Sequence, residues 1–132
     1  MIKALGKIEV VTLFVEDLIA ARAFYTAVFG RECVYEDDVC SVLKFDNIMV
    51  NLLQIGNADV LVKPAPVAVA GSGSRFIFSL NVPDTDAVCG ELKKRNVPLL
   101  NGPIDRAWGR RTAAFADPAG HVWEVAQNLD EV

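Results

Sequence analysis

Side chains able to do chemistry are concentrated near the end of the 132-residue chain. Trp108 comes just before Arg110 and Arg111, and Glu124 lies in the apolar run that follows. An aromatic ring beside a guanidinium group suits flat or conjugated ligands, through stacking and cation–π attraction. A carboxylate in apolar surroundings needs a proton or a neighbouring cation, and Arg110 or Arg111 is the expected cation. Glu124 is therefore a candidate ligand-orienting acceptor or general acid/base, and otherwise a partner in a buried ion pair.

Other catalytic arrangements find little material in the sequence. His121 is the chain's only histidine, and strand alternation sends it and Glu124 to opposite faces. The three cysteines, Cys33, Cys40 and Cys89, form no C-x-x-C pair. We therefore expect buried thiols, with neither a disulfide framework nor a zinc cluster. No Gly-x-Ser-x-Gly elbow, phosphate-binding loop or dinucleotide fingerprint occurs.

Composition and charge exclude several classes of protein. Hydrophobic residues make up 52% and charged residues 23% of the chain, so it is neither a disordered chain nor a coiled coil. The net charge is −4, and without a basic stripe we expect no nucleic-acid partner. No apolar run reaches the ~18–20 residues of a membrane span, and the N-terminus lacks the features of a secretory signal. We expect a soluble cytoplasmic protein that does not bind membranes.

The sequence predicts one order of elements twice: a strand, a helix and three strands. In the first copy, the strands predicted from β-branched and aromatic residues are 8–15, 32–36, 40–45 and 48–54. Asp17 is the candidate N-cap of the helix, because its carboxylate can accept from the free amides of the first turn. The helix is expected to end at Gly30 and to bury one apolar face, formed by Leu18, Ala21, Phe24, Tyr25 and Val28.

The second copy follows a segment, 56–74, whose prolines and Gly-Ser run predict a linker with little structure of its own. Asp84 is the candidate N-cap of a helix that runs up to Arg95. The predicted strands of this copy are 75–82, 98–100, 110–116 and 121–127. Asp84 follows Asp17 by 67 residues. Each copy is too small to bury both faces of its sheet, so we expect the two copies to share one structure.

Five short strings carry a resemblance to a known family. They are VTLFVED at 11–17, AFYTAVFG at 23–30, NGP at 101–103, WGRR at 108–111 and DPAGHVWE at 117–124. Together with the repeated layout they resemble the vicinal oxygen chelate superfamily, which includes glyoxalase I, bleomycin-resistance proteins, fosfomycin-resistance enzymes and extradiol dioxygenases. The most specific string is the Asp-Pro-x-Gly turn followed by a strand that bears a glutamate. The resemblance covers nearly the whole chain apart from the linker.

The resemblance implies an α+β fold. Two βαβββ modules in tandem are expected to form curved mixed sheets around a shared cleft, with the helices on the outside. One domain, 1–132, would then consist of module one at about 7–55, the linker at about 56–74 and module two at about 75–128. Family precedent and the need to cover apolar edge strands also lead us to expect a homodimer.

Metal-using members of that family hold one divalent ion with ligands from the first and last strands of each module. By resemblance those positions fall on Val10, Asn51, Ile77 and Glu124. The aliphatic side chains of Val10 and Ile77 cannot ligate a metal, and an amide oxygen is a poor lone ligand. One good ligand in four does not hold a metal ion at useful affinity. We therefore expect no metal and no other cofactor.

These observations favour a metal-free protein of the glyoxalase/bleomycin-resistance type that binds a small molecule, either aromatic or cationic. The candidate ligand-binding residues are Glu124, Trp108, Arg110, Arg111, Asn51, Phe14 and Phe78. The alternative is a glyoxalase-like lyase or isomerase, or a dioxygenase-like enzyme, with an atypical site that uses Glu124 as its candidate catalytic residue. A third possibility is a regulatory or structural module whose pocket is filled by its own side chains.

Overall fold

The computed structural model describes residues 1–129, which divide into two compact units with a boundary between Ser72 and Gly73. Unit one contains β1 (Val10–Val15), α1 (Leu18–Val28), β2 (Glu32–Glu36), β3 (Cys40–Lys44), β4 (Met49–Gln54) and the short helix α2 (Asp59–Val62). Unit two contains β5 (Phe78–Asn81), α3 (Thr85–Lys94), β6 (Asn101–Asp105), β7 (Arg110–Ala116) and β8 (Val122–Asn128). The predicted α+β fold of two tandem βαβββ modules is confirmed.

Each unit has one four-stranded mixed sheet with the same strand order. The order is β1-β4-β3-β2 in unit one and β5-β8-β7-β6 in unit two. The first strand of each unit pairs in parallel with the last, and the other neighbours are antiparallel. The register places Thr12 opposite Asn51 and Ser79 opposite Glu124. Since paired residues point to the same side of a sheet, each pair shares a face.

Each main helix begins at an aspartate, as predicted. The Asp17 carboxylate accepts a hydrogen bond from the Ala20 N–H at 3.0 Å, and the Asp84 carboxylate accepts one from the Ala87 N–H at 3.0 Å. Both bonds satisfy amides that have no partner within the helix, which stabilises a helix by about 1 kcal/mol. Asp17 and Asp84, which are 67 residues apart in sequence, therefore make the same capping hydrogen bond in their two units.

A glutamine at the end of the last strand supplies a second cap in each unit. Gln54 Oε1 accepts from the Leu18 N–H at 3.2 Å, and its Nε2 donates to the Glu16 carbonyl at 2.6 Å. Gln127 Oε1 accepts from the Thr85 N–H at 2.9 Å. These bonds join the start of each helix to the strand that lies beside the first strand of the sheet.

The helix of each unit covers one face of its sheet. In unit one the buried residues of this face are Leu13, Val15, Val50 and Leu52, and α1 contributes Leu18, Ala21 and Tyr25 from the predicted apolar stripe. In unit two the buried residues are Phe115, Trp123 and Val125. We call the opposite side of each sheet its helix-free face. The alternate residues of the strands, among them Asn51 and Glu124, lie on that face.

Two predicted segments differ from the structure. The second strand of unit two is 101–105 and not 98–100. Gly102 and Pro103 lie at a register shift between Asn101 and Ile104, where a proline is tolerated because no ladder N–H is needed. The predicted linker is also folded at its start, where α2 forms and Ala58 is fully buried.

The cysteine prediction holds for one thiol of three. Cys89 is buried, and burial raises the pKa of its thiol. Cys40 is half-buried, and Cys33 is exposed because all five residues of the edge strand β2 are exposed.

Among residues 1–129, the helices are too short or too polar to span a membrane.

The turn between β2 and β3 is built on Asp37. Its carboxylate accepts from the N–H groups of Val39 and Cys40, both at 2.9 Å, and from the Tyr35 hydroxyl at 2.7 Å. These bonds, led by the one from Val39, lower the pKa of Asp37 to about 2. Arg22 of α1 donates to the Asp37 carbonyl, so the turn is also tied to the helix.

We predict that Gly102→Ala destabilises the fold by about 2–5 kcal/mol. Gly102 has φ +91°, and an added Cβ would lie 2.6 Å from Ala113 Cα and clash with the Thr112 carbonyl. Left-handed strain and overpacking cost about 1–2 and 1–3 kcal/mol respectively. Urea unfolding measures the change. Gly90→Ala, in the exposed part of α3 with free space around it, is the control and should gain about 1 kcal/mol. Equal effects of the two variants would contradict the prediction.

Asp37→Asn should lower stability at neutral pH, and the deficit should shrink in acid. The folded-state pKa lies below the ordinary value, so the Asp37 carboxylate stabilises the fold above about pH 4 and loses that contribution as the pH falls towards 2. Thermal unfolding of the variant and of the native chain between pH 7 and pH 2 tests this. The neighbouring Asp38→Asn is the control. A deficit that does not depend on pH would contradict the prediction.

Candidate functional site

The amide oxygen of Asn51 is a buried acceptor without a donor. Asn51 lies on the helix-free face of unit one, between Thr12 of β1 and Val42 of β3. Within the described residues its Oδ1 is buried and makes no hydrogen bond. A buried polar atom left without a partner costs about 1–3 kcal/mol. A ligand N–H or O–H that reached this oxygen would recover that energy.

The surroundings of Asn51 on the same face are mainly apolar. The register places Val10 opposite Met49 and Phe14 opposite Leu53. Leu53 is buried, Phe14 and Met49 are half-buried, and Val10 is 37% exposed. This face therefore combines hydrocarbon surface with one unsatisfied acceptor, which is the usual composition of a small-molecule site.

Glu124 occupies the position in unit two that Asn51 occupies in unit one. The two residues are 73 apart in sequence, as are Gln54 and Gln127. The half-buried carboxylate of Glu124 accepts a hydrogen bond from the Ser79 hydroxyl at 2.8 Å. The ion pair expected with Arg110 or Arg111 is absent from the described part of the chain, because those arginines are held elsewhere.

Arg111 is turned to the helix side of the sheet. Its guanidinium lies 2.6 Å from the Asp105 carboxylate and 3.1 Å from that of Asp86 in α3. Asp105 raises the pKa of Arg111, and Arg111 in turn lowers the pKa of Asp105. Arg111 therefore joins the β6–β7 hairpin to the helix and does not face the same side as Glu124.

The guanidinium beside Trp108 belongs to Arg106, which the sequence reasoning missed. Trp108 is 69% exposed in the loop between β6 and β7, and Arg106 Cζ lies 5.9 Å from the centre of its ring. Gly109, at φ +83°, donates its N–H to the Arg106 carbonyl at 3.0 Å and closes the turn. The sequence signal that could have found Arg106 is the three-residue loop 107–109, which ends in glycine. Such a loop places the residues on either side of it, Arg106 and Arg110, opposite each other.

The two candidate phenylalanines lie on different faces. Phe14 is on the helix-free face of unit one, with Asn51. Phe78 lies on the helix side of unit two, where its ring stacks on Trp123 at 4.5 Å. Trp123 is buried. Phe78 therefore contributes to packing in unit two.

The donor set does not fit a four-ligand metal site. Of the four positions implied by resemblance, Val10 and Ile77 present only hydrocarbon. His121 Nδ1 lies 2.8 Å from the buried Asp117 carboxylate, which also accepts from the His121 and Ala119 N–H groups and so shapes the turn before β8. Over residues 1–129, no three His, Cys, Asp or Glu side chains lie close enough together to hold an ion.

The family of this chain follows from its sequence. Residues 7–125 match the family model of the Glyoxalase/Bleomycin resistance protein/Dioxygenase superfamily. The chain belongs to this superfamily. No curated protein matches it at a significant level.

Solved structures with the superfamily fold agree with this assignment. A glyoxalase-related enzyme from Fulvimarina pelagi is 25% identical, with a TM-score of 0.80 over 94% of this chain and 89% of that one. A glyoxalase/bleomycin resistance protein/dioxygenase from Nocardioides is 20% identical, with a TM-score of 0.84 over 96% and 86%. Lactoylglutathione lyase from Agrobacterium tumefaciens is 24% identical, with a TM-score of 0.74 over 92% and 93%. The fold of the superfamily hosts many activities, so function must be argued from the site.

We predict that Asn51→Leu stabilises the free protein by about 1 kcal/mol, because it removes a buried acceptor that has no donor. Gln54→Leu is the matched variant on the same strand. It should lose about 1–2 kcal/mol, because both ends of the Gln54 amide are hydrogen-bonded. Urea unfolding compares the two, and similar losses in both would contradict the prediction.

Proposed function

We propose that this member of the superfamily binds a small organic molecule without a metal ion. The observation that carries the proposal is the buried, donor-free oxygen of Asn51 among Val10, Phe14 and Met49. Free proteins rarely keep such an atom unsatisfied. A bound ligand with an N–H or O–H group supplies the missing donor, and the hydrocarbon around it accommodates an apolar or aromatic body.

The second polar pair, in unit two, supports the same kind of ligand. Glu124 has a hydroxyl partner, Ser79, and no cation partner within the described residues. A half-buried carboxylate in that state attracts a cationic or N–H-donating group. Together these features support an aromatic or cationic ligand that carries hydrogen-bond donors.

The proposal includes a homodimer and a cytoplasmic location. Every residue of the edge strand β2 is exposed, with Val34 45% and Tyr35 55% accessible. An exposed apolar edge is a site of pairing unless it is covered, and a second copy of the chain would cover it. The free thiol of the exposed Cys33 suits a reducing compartment.

The alternative is an enzyme of the superfamily that uses Glu124 as a general acid or base. The hydrogen bond from Ser79 favours it, because a hydroxyl at 2.8 Å can hold the carboxylate in one orientation for proton transfer. This mechanism needs turnover of a bound ligand, whereas a binding protein releases its ligand unchanged.

The test is a thermal-shift screen of flat aromatic amines and guanidines against protein stripped with EDTA. We expect binding that is equal with and without the chelator, and that weakens about tenfold or more in Asn51→Leu, a loss near 1.4 kcal/mol. Asn57→Leu, at an exposed position of unit one, is the control.

Two results would overturn the proposal. One is a ligand that binds only after addition of Ni²⁺, Zn²⁺, Mn²⁺ or Fe²⁺, with saturable binding of the metal itself in calorimetry. The other is conversion of the ligand to a product. If that conversion is lost in Glu124→Gln while the fold is kept, the enzyme alternative is correct.

A further inference from the structure

Two arginines stand opposite each other at the end of the β6–β7 hairpin. One residue beyond the pair Asp105–Arg111, the Arg106 N–H donates to the Arg110 carbonyl at 2.7 Å. Residues opposite each other in a hairpin point to the same face. That face is the helix-free face, since Arg111, the neighbour of Arg110, points to α3.

The partners of Arg106 are all neutral. Its Nε donates to the Thr112 hydroxyl at 2.9 Å, and one Nη lies 3.4 Å from the Asn101 side-chain oxygen. The Trp108 ring lies beside the guanidinium. No carboxylate of the described residues pairs with it, and one edge of the guanidinium keeps its N–H donors free.

Arg110 is held in the same way. One Nη donates to the Ala126 carbonyl at 3.0 Å and approaches the Asn81 side-chain oxygen at 3.3 Å. Its Nε is buried and has no partner in the part of the chain that the structure describes. A buried guanidinium N–H without an acceptor is costly, more so than a neutral one.

Arg111, next to Arg110 in sequence, has the carboxylate partners that Arg106 and Arg110 lack among the described residues. Arg111 is satisfied by two carboxylates, Asp105 and Asp86, on the other face of the same strand. Like charges directly opposite each other destabilise a sheet. The hairpin nevertheless places two arginines opposite each other and gives both only neutral partners. An anion between them removes the repulsion.

We propose that Arg106 and Arg110 bind the anionic group of a small organic acid, a carboxylate or a phosphate monoester. Guanidinium groups recognise such oxyanions through paired N–H···O bonds, which are stronger than neutral hydrogen bonds. Trp108, 69% exposed beside Arg106, offers a ring face to the body of the ligand.

This site depends on unit two alone and goes beyond the proposed function. It uses none of the atoms around Asn51, so loss of the Asn51 site leaves it intact. Glu124 lies two residues along β8 from Ala126, about 7 Å at the rise of a strand. It sets the limit of the positive region on this face.

The experiment is calorimetric titration at low ionic strength with benzoate, phenyl phosphate and inorganic phosphate, since salt screens exposed charges. We expect saturable binding of at least one probe, weakened about tenfold or more in Arg106→Gln and in Arg110→Gln. Arg95→Gln removes the same charge at the C-cap of α3, from an arginine that pairs with Glu91, and should change affinity less than about twofold. Stronger binding of benzoate identifies a carboxylate ligand, and stronger binding of the phosphates identifies a phosphate ester.

Two further measurements guard against misfolded variants. Circular dichroism checks the fold of each variant. Without ligand, the double variant Arg106→Gln/Arg110→Gln should unfold at the same or a higher temperature than the native chain, because the repulsion between the two arginines is removed. In the native chain, NMR should show a shift of the Arg110 Nε–H signal on addition of the probe that binds. Absence of saturable binding by all three probes, or affinity unchanged in both glutamine variants, overturns the proposal.

Discussion

The parallel pairing of the first strand with the last is the constraint on which the rest of each unit depends. Parallel neighbours need a crossover between them, and α1 and α3 provide it at the ends of β1 and β5. The glutamine at the end of the last strand then bonds to the first amide of the helix. Strand pair and helix start are thereby fixed to each other, and the helix can cover only one face of the sheet.

The two faces of each sheet differ in how their polar groups are satisfied. The helix side holds the buried Leu13, Leu52, Phe115 and Trp123, together with Arg111 and its two aspartates. The helix-free side holds the polar atoms that lack protein partners, Asn51 Oδ1 and Arg110 Nε. Buried polar atoms are normally satisfied, and within residues 1–129 these two are not, which supports the proposal that the helix-free face of each unit binds a ligand.

The two units share a backbone plan and differ in the chemistry placed on it. Equivalent positions carry Thr12 and Asn51 in unit one, and Ser79 and Glu124 in unit two. Two of the four metal-ligand positions implied by resemblance are Val10 and Ile77. The fold of the superfamily is therefore kept, while the chemistry expected of its metal-using members is not supported by the residues that would perform it.

Local signals in the sequence determined the element order, both helix N-caps and the buried stripe of α1. Each of these features depends on residues that are close together in sequence, and the 67-residue repeat shows the N-cap signal in both units. The sequence predicted a strand at 98–100, whereas pairing with β7 forms the strand at 101–105, with a register shift at Gly102 and Pro103. Local sequence patterns also could not predict which acceptors Arg110 and Arg111 bond to. Arg110 and Arg111 are adjacent in sequence, but strand alternation points them to opposite faces of the sheet. Arg110 bonds to the Ala126 carbonyl and Arg111 to the Asp86 carboxylate. The register between strands distant in sequence decides which acceptors lie on each face.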